Sequence, residues 1–125
     1  MSGKTAYMTN IVQKEETGGS RIIKIANILL DTDLRQVYIF GKPIRLTGME
    51  FDLLCHLAVN RNRAISRKEL LREVWHFENI VETRATDDMI KRLRRKLKYA
   101  SSQMKIITVW GYGFKVEVPD AANIR

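Results

Sequence analysis

RATDDMIKRLRRKLKY, residues 84–99, is the stretch on which the fold of this chain turns. Arg84, Lys91, Arg92, Arg94, Arg95, Lys96 and Lys98 are basic; only Asp87 and Asp88 are acidic. Thr86, Ile90, Leu93 and Leu97 recur at spacings of 4, 3 and 4, which is one face of an α-helix. Advancing about 100° per residue from that stripe sets Arg84, Asp88, Lys91, Arg92, Arg95 and Tyr99 on the far side. One face is therefore expected to be buried and the other to be basic. Charge alone leaves two uses open: a salt-bridged solvent face, or a surface for a polyanion, nucleic acid foremost.

The surrounding composition narrows the classes. The 125 residues carry 22 Lys+Arg against 14 Asp+Glu, a formal net charge of +8, and residues 84–98 alone supply five of those charges. A chain of this length removes roughly two-thirds of its unfolded surface from water, enough for one core without staples. Cys55 is the single cysteine, so no disulfide framework forms within the chain, and a reducing cytoplasmic setting is expected. No apolar run approaches the ~18 residues of a membrane span, and the opening MSGKTAYMTN lacks the apolar stretch of a signal peptide.

Working outward, residues 1–20 are polar, end in Thr17-Gly18-Gly19-Ser20 and read as a flexible lead-in or linker. Residues 21–119 form the expected domain, and 120–125 a tail. From Arg21 to Leu46 the runs RIIKIA, NILLD, QVYIF and PIRL, punctuated by Asp31-Thr32-Asp33 and Gly41-Lys42-Pro43, predict a small antiparallel sheet. Thr47-Gly48-Met49-Glu50 has the form of a capping box, opening a helix with Phe51, Leu54, Cys55 and Ala58 inward and an end in residues 60–63. Cys55 is expected as a core thiol. Ser66-Arg67-Lys68-Glu69 is a second capping box, opening a shorter helix with Leu70, Leu71, Val74 and Trp75 as its apolar residues. His76 to Thr83 lacks helical periodicity yet carries Phe77, Ile80 and Val81, which need a partner inside or outside the domain. Past the basic helix, Ile107/Val109 alternate with Thr108/Trp110, Gly111-Tyr112-Gly113 turns the chain, and Phe114/Val116/Val118 alternate with Lys115/Glu117, a β-hairpin.

A helix that is apolar on one face and basic on the other fits the DNA major groove, with a flanking hairpin reaching the backbone or minor groove. The fold class expected is α+β, a winged helix-turn-helix with an N-terminal antiparallel sheet, three helices and a C-terminal hairpin wing. Four stretches in register carry a resemblance: Leu46-Thr47-x-x-Glu50-Phe51-x-Leu53-Leu54, Ile65-Ser66-Arg67-x-x-Leu70-Leu71-x-x-Val74-Trp75, Arg84-x-x-Asp87-x-x-Ile90-x-x-Leu93-Arg94-x-Lys96-Leu97 and Thr108-Val109-x-Gly111-x-Gly113-Phe114-Lys115. Together they resemble the OmpR/PhoB-type effector domain of bacterial two-component response regulators, over about residues 22–118.

That resemblance implies duplex DNA at tandem half-sites as partner, a second copy of the chain on the DNA, and RNA polymerase touched by the loop carrying Phe77, Glu78, Ile80 and Glu82. It puts Arg92 on base edges, Lys91 and Arg94 on or near phosphates, Arg95 on the same basic face, Trp75 and Arg84 at the rim of the groove, and Thr108 on the backbone from the wing. Trp75 equally reads as a core aromatic, and Asp87 is expected to pair with Lys91 or Arg94. Three positions depart from the family pattern. Trp110 stands where Arg is frequent, either against sugars or packed on Tyr112 or Lys115. Asp88 replaces an apolar residue or Thr, where a carboxylate repels phosphate or accepts from a cytosine amino group. Ala85 replaces a frequent Thr. The family's phosphoacceptor receiver domain, through which a sensor kinase acts, does not fit in twenty residues, so an excised effector domain is expected, with a free-standing regulator as the alternative.

Other classes have less support. Gly111-x-Gly113-x-x-Val116 resembles part of a kinase glycine loop without room for a catalytic half. His56 and His76 have only Cys55 beside them and no metal-ligand spacing, so no catalytic set, metal or cofactor is expected. A basic helix binding an acidic protein or anionic membrane is the runner-up, weakened because the apolar face of residues 84–99 is already needed for the core.

Overall fold

The computed structural model describes residues 21–76 and 84–119. Four short strands, β1 (Ile22–Ile25), β2 (Ile28–Asp31), β3 (Gln36–Ile39) and β4 (Lys42–Ile44), form one antiparallel sheet in sequential order. Alternation puts Ile23, Leu30 and Val37 in one inward row and Ile25, Ile28 and Ile39 in the next; all six are buried. The Asp31 carboxylate accepts the N–H groups of Asp33 and Leu34, so the expected turn after β2 is closed by its own aspartate. The second punctuation differs: the turn is Phe40-Gly41, at φ 57° and 76°, while Lys42 and Pro43 belong to β4. Pro43 is tolerated there because β4 is an edge strand.

Helix α1 spans Gly48–Val59 and opens on a complete capping box. The Thr47 hydroxyl accepts from the Glu50 N–H, and the Glu50 carboxylate accepts from the Thr47 N–H. Phe51, Leu54, Cys55 and Ala58 are buried as the spacing predicts, but so are Leu53, His56 and Leu57, because α1 is covered on nearly every side. After β5 (Ile65–Ser66), helix α2 covers Arg67–Glu73. Here the predicted box is half made. The Ser66 hydroxyl caps the Glu69 N–H, while the Glu69 carboxylate takes Arg63 at 2.7 Å and His56 at 3.0 Å. Val74 is the C-cap, and Trp75 lies beyond the helix, half-buried against the core.

Helix α3 spans Arg84–Tyr99, followed by β6 (Lys105–Val109) and β7 (Gly113–Glu117). The second sheet has the order β5-β7-β6. The hairpin turn is Trp110-Gly111-Tyr112, closed by the Tyr112 N–H donating to Val109, and Gly113 is already the first residue of β7. Its inward face is one residue away from the Ile107/Val109 row. Ile106 opposes Val116 and Thr108 opposes Phe114, so the buried row is Ile106, Phe114 and Val116, with Thr108 on the same side. Sheet, three helices and hairpin share one core, and the architecture is the expected winged helix-turn-helix.

Two bonds tie the first sheet to the end of α3. The Asn27 amide donates to the Ser101 carbonyl at 2.9 Å and accepts from the Gln103 N–H at 2.9 Å. Residues 1–20 and 120–125, expected as lead-in and tail, lie outside the described residues, as does the segment 77–83 with Phe77, Glu78, Ile80 and Glu82.

Candidate nucleic-acid interface

Helix α3 rises about 24 Å over its sixteen residues. Thr86, Met89, Ile90, Leu93 and Leu97 are buried against the rest of the domain. Met89 joins the predicted stripe because it lies three residues behind Arg92 and one before Ile90, at the edge of the same face. On the other side Arg84, Asp88, Lys91, Arg92, Arg95 and Tyr99 are all exposed. Arg84, Lys91 and Arg95 are exposed and make no ion pair among the described residues.

Arg92, Arg94 and Lys96 reach groups within the domain. Arg94 is half-buried, and its guanidinium donates to the Ile106 carbonyl at 2.9 Å and to the Thr108 hydroxyl at 2.8 Å. It also lies 5.8 Å from the centre of the Phe114 ring, which the Arg67 guanidinium approaches as well, at 4.8 Å. Burial pulls the Arg94 pKa down while the Asp87 charge opposes that shift. Asp87 itself takes neither Lys91 nor Arg94 as its ion-pair partner; it accepts from Arg67 of α2 at 2.8 Å. Tertiary proximity has replaced the local i+4 pairing, and it locks α2 to the start of α3. Lys96 reaches Glu50 of α1 at 2.7 Å, and the Arg92 Nε lies 3.8 Å from the same carboxylate.

At the tip of the wing Trp110 is 89% exposed and Tyr112 50% exposed. Trp110 therefore does not pack down on Tyr112 or Lys115. Thr108 faces α3 rather than the open side of the hairpin, and its hydroxyl is held by Arg94. Sequence reasoning missed Glu50, Lys96 and Arg67 as members of this region. Glu50 was legible only as a cap, since nothing local links it to a residue 46 positions away.

Two carboxylates in these networks are held below the usual range. For Glu69 the hydrogen bond from Arg63 is the largest cause, opposed by burial and assisted by His56. For Glu50 burial works against the charge, but hydrogen bonds from Lys96 and the Thr47 N–H, with the charges of Lys96 and Arg92, outweigh it. Depressed carboxyl pKa values stabilise the fold above the unfolded value of about 4.3 and lose that contribution as pH falls through the folded values. The thermal midpoint should hold from about pH 7 to 5 and fall below about pH 4, with Glu69→Gln flattening the fall. A variant as acid-sensitive as the parent would show that this carboxylate is not coupled to folding.

Among the described residues no His, Cys, Asp or Glu cluster could hold a metal, and no helix is long and apolar enough to cross a membrane. Known proteins share this arrangement. The profile of the family described as "Transcriptional regulatory protein, C terminal" matches residues 41–116. The transcriptional regulatory protein SrrA of Staphylococcus aureus is 38% identical over 109 residues, which is 86% of this chain and 45% of SrrA. The chain thus spans less than half the length of the curated relatives it matches. The DNA-binding domain of the response regulator AdeR, solved in complex with an intercistronic region, superposes with a TM-score of 0.68 at 28% identity, covering 78% of this chain and all of that one. The DNA-binding domain of Klebsiella pneumoniae RstA, solved with the RstA box, gives 0.66 at 28% identity over 76% of this chain and 95% of that one.

Proposed function

This chain belongs to the C-terminal domain family of transcriptional regulatory proteins, and on that premise we propose that it binds duplex DNA sequence-specifically as the output domain of a cytoplasmic response regulator. Helix α3 occupies the major groove and the β6–β7 hairpin lies beside it as the wing. One observation carries this reading: Arg84, Lys91, Arg92 and Arg95 share the exposed face of a helix whose other face is buried, and three of them have no carboxylate partner among the described residues. A merely solvated face would be expected to pair its cations along the helix at i+4. Arg92 contacts base edges, Lys91, Arg84 and Arg95 contact phosphates, and Asp88 accepts from a cytosine amino group. The Trp75 indole donates at the rim of the groove, and Trp110 lies against the sugars beyond the wing.

Binding should weaken with salt at a slope of about −0.9 in log K per neutralised phosphate, for roughly four to six contacts per monomer. Arg92→Ala should relax sequence preference at one or two positions at a cost of about 1 to 3 kcal/mol, whereas Lys91→Ala should weaken all sequences alike. Affinity that is independent of salt would refute the reading, and exchanged effects of the two variants would mean a different rotation of α3 in the groove.

In a longer protein of this family, a sensor kinase would act through a phosphoacceptor receiver domain. Two copies would occupy half-sites about one helical turn apart. The segment containing Phe77, Glu78, Ile80 and Glu82 combines apolar side chains with carboxylates that phosphate repels, which suits it to RNA polymerase rather than DNA.

A further inference from the structure

The Glu50 side chain sits beneath the basic face of α3 and is 2% exposed. One oxygen accepts from the Thr47 N–H at 2.9 Å and from Lys96 Nζ at 2.7 Å; the other lies 3.8 Å from Arg92 Nε. Both cations are themselves partly exposed, so each has one side toward a buried anion and one toward solvent. Arg92 is further restrained by Met89, whose sulfur is 3.7 Å from the guanidinium.

We propose that Glu50 is a specificity-determining positioning residue: its carboxylate stands in for a phosphate, keeps Lys96 off the DNA backbone and sets the direction from which the Arg92 guanidinium approaches a base. This rests on the DNA-binding reading above. A carboxylate offers a cation the same charge-assisted hydrogen bond as a phosphate oxygen. A helix whose every cation is free binds any duplex, because phosphate contacts carry no sequence information. Holding Lys96 internally lowers that indiscriminate part of the affinity. Restraining Arg92 from one side reduces the rotamers it loses when it meets a base, which favours the matched sequence. Burial of the carboxylate in α1 makes the restraint rigid, since its position is fixed by the capping box at the start of that helix.

The test compares Glu50→Gln with the parent chain on a duplex selected from a random library and on a scrambled duplex, across a salt series. Glutamine keeps the volume and one acceptor oxygen but loses the charge. The ratio of matched to scrambled affinity should fall about tenfold, within the worth of one bidentate base contact, and the slope on scrambled duplex should steepen by about 0.9 as Lys96 is released. An unchanged ratio and slope, or a parallel loss on both duplexes without a change in slope, would overturn the proposal. Lys96→Met tests it from the other side even where the first variant folds poorly. A cation withheld from phosphate leaves the slope where it was, whereas a slope shallower by about 0.9 would show that Lys96 is an ordinary phosphate contact. A parent chain without salt-dependent duplex binding would instead refute the DNA-binding reading itself.

Discussion

Gly113→Ala should lower the stability of the domain by about 3 kcal/mol and its thermal midpoint by roughly 12 °C. A Cβ built at this position would collide with the Ile65 carbonyl oxygen and come within 2.8 Å of Ser66 Cα and 2.9 Å of the Ile65 carbonyl carbon. All three atoms are backbone, so no rotamer change relieves the overlap. Strand β5 would have to separate from β7, and with it the Ile65–Phe114 pairing that fixes the wing to the entry of α2. Gly111, two residues earlier, is the control. It has φ 75° and nothing within 4 Å of a Cβ, so alanine there meets only the left-handed backbone penalty of about 1 kcal/mol. Thermal unfolding of the two variants separates close approach from turn conformation. A Gly113→Ala midpoint within about 3 °C of the parent would mean that β5 is free to move aside.

What was legible in the sequence follows from how far each interaction reaches. Helix α3 was readable because its stripe and its basic face are set by a period of 3.6, and only one rotation buries Ile90, Leu93 and Leu97 together. The capping box at Thr47 was readable because cap and partner are three residues apart. The hairpin was readable as a hairpin but not by face: Ile106, Ile107 and Val109 put apolar residues on both sides of β6, and the register against Val116 decided between them. Glu69 fits a capping box locally, yet Arg63 and His56 from the preceding turn and α1 compete for its carboxylate and win. Asp87 and Glu50 chose partners 20 and 46 residues away, Arg67 and Lys96, over anything a helical spacing offers. The site therefore emerges from the sequence as a face, while the division of its cations between free and internally used ones is a property of the packed domain.

Arg94 is where that division has its largest expected consequence for binding. The family resemblance puts this residue on or near phosphate; the geometry has its guanidinium bonded to the Ile106 carbonyl and the Thr108 hydroxyl and placed over Phe114. Hydrogen bonds from a charged donor contribute about 1.5 to 3 kcal/mol, and a half-buried pair of them is the main polar link between α3 and β6. Arg94→Met keeps the stem and removes both bonds, so stability should fall by about 2 to 3 kcal/mol. The wing would then lose its fixed orientation on the helix, and ordering it on DNA would cost free energy at each binding event. Affinity for a matched duplex should fall about tenfold while the salt slope stays within about 0.3 of the parent, because no phosphate contact has been removed. The phosphate role makes the opposite forecast: little change in stability and a slope shallower by about 0.9. Thermal unfolding and a salt titration on the same variant decide between a cation that binds DNA and one that holds the wing in place to do so.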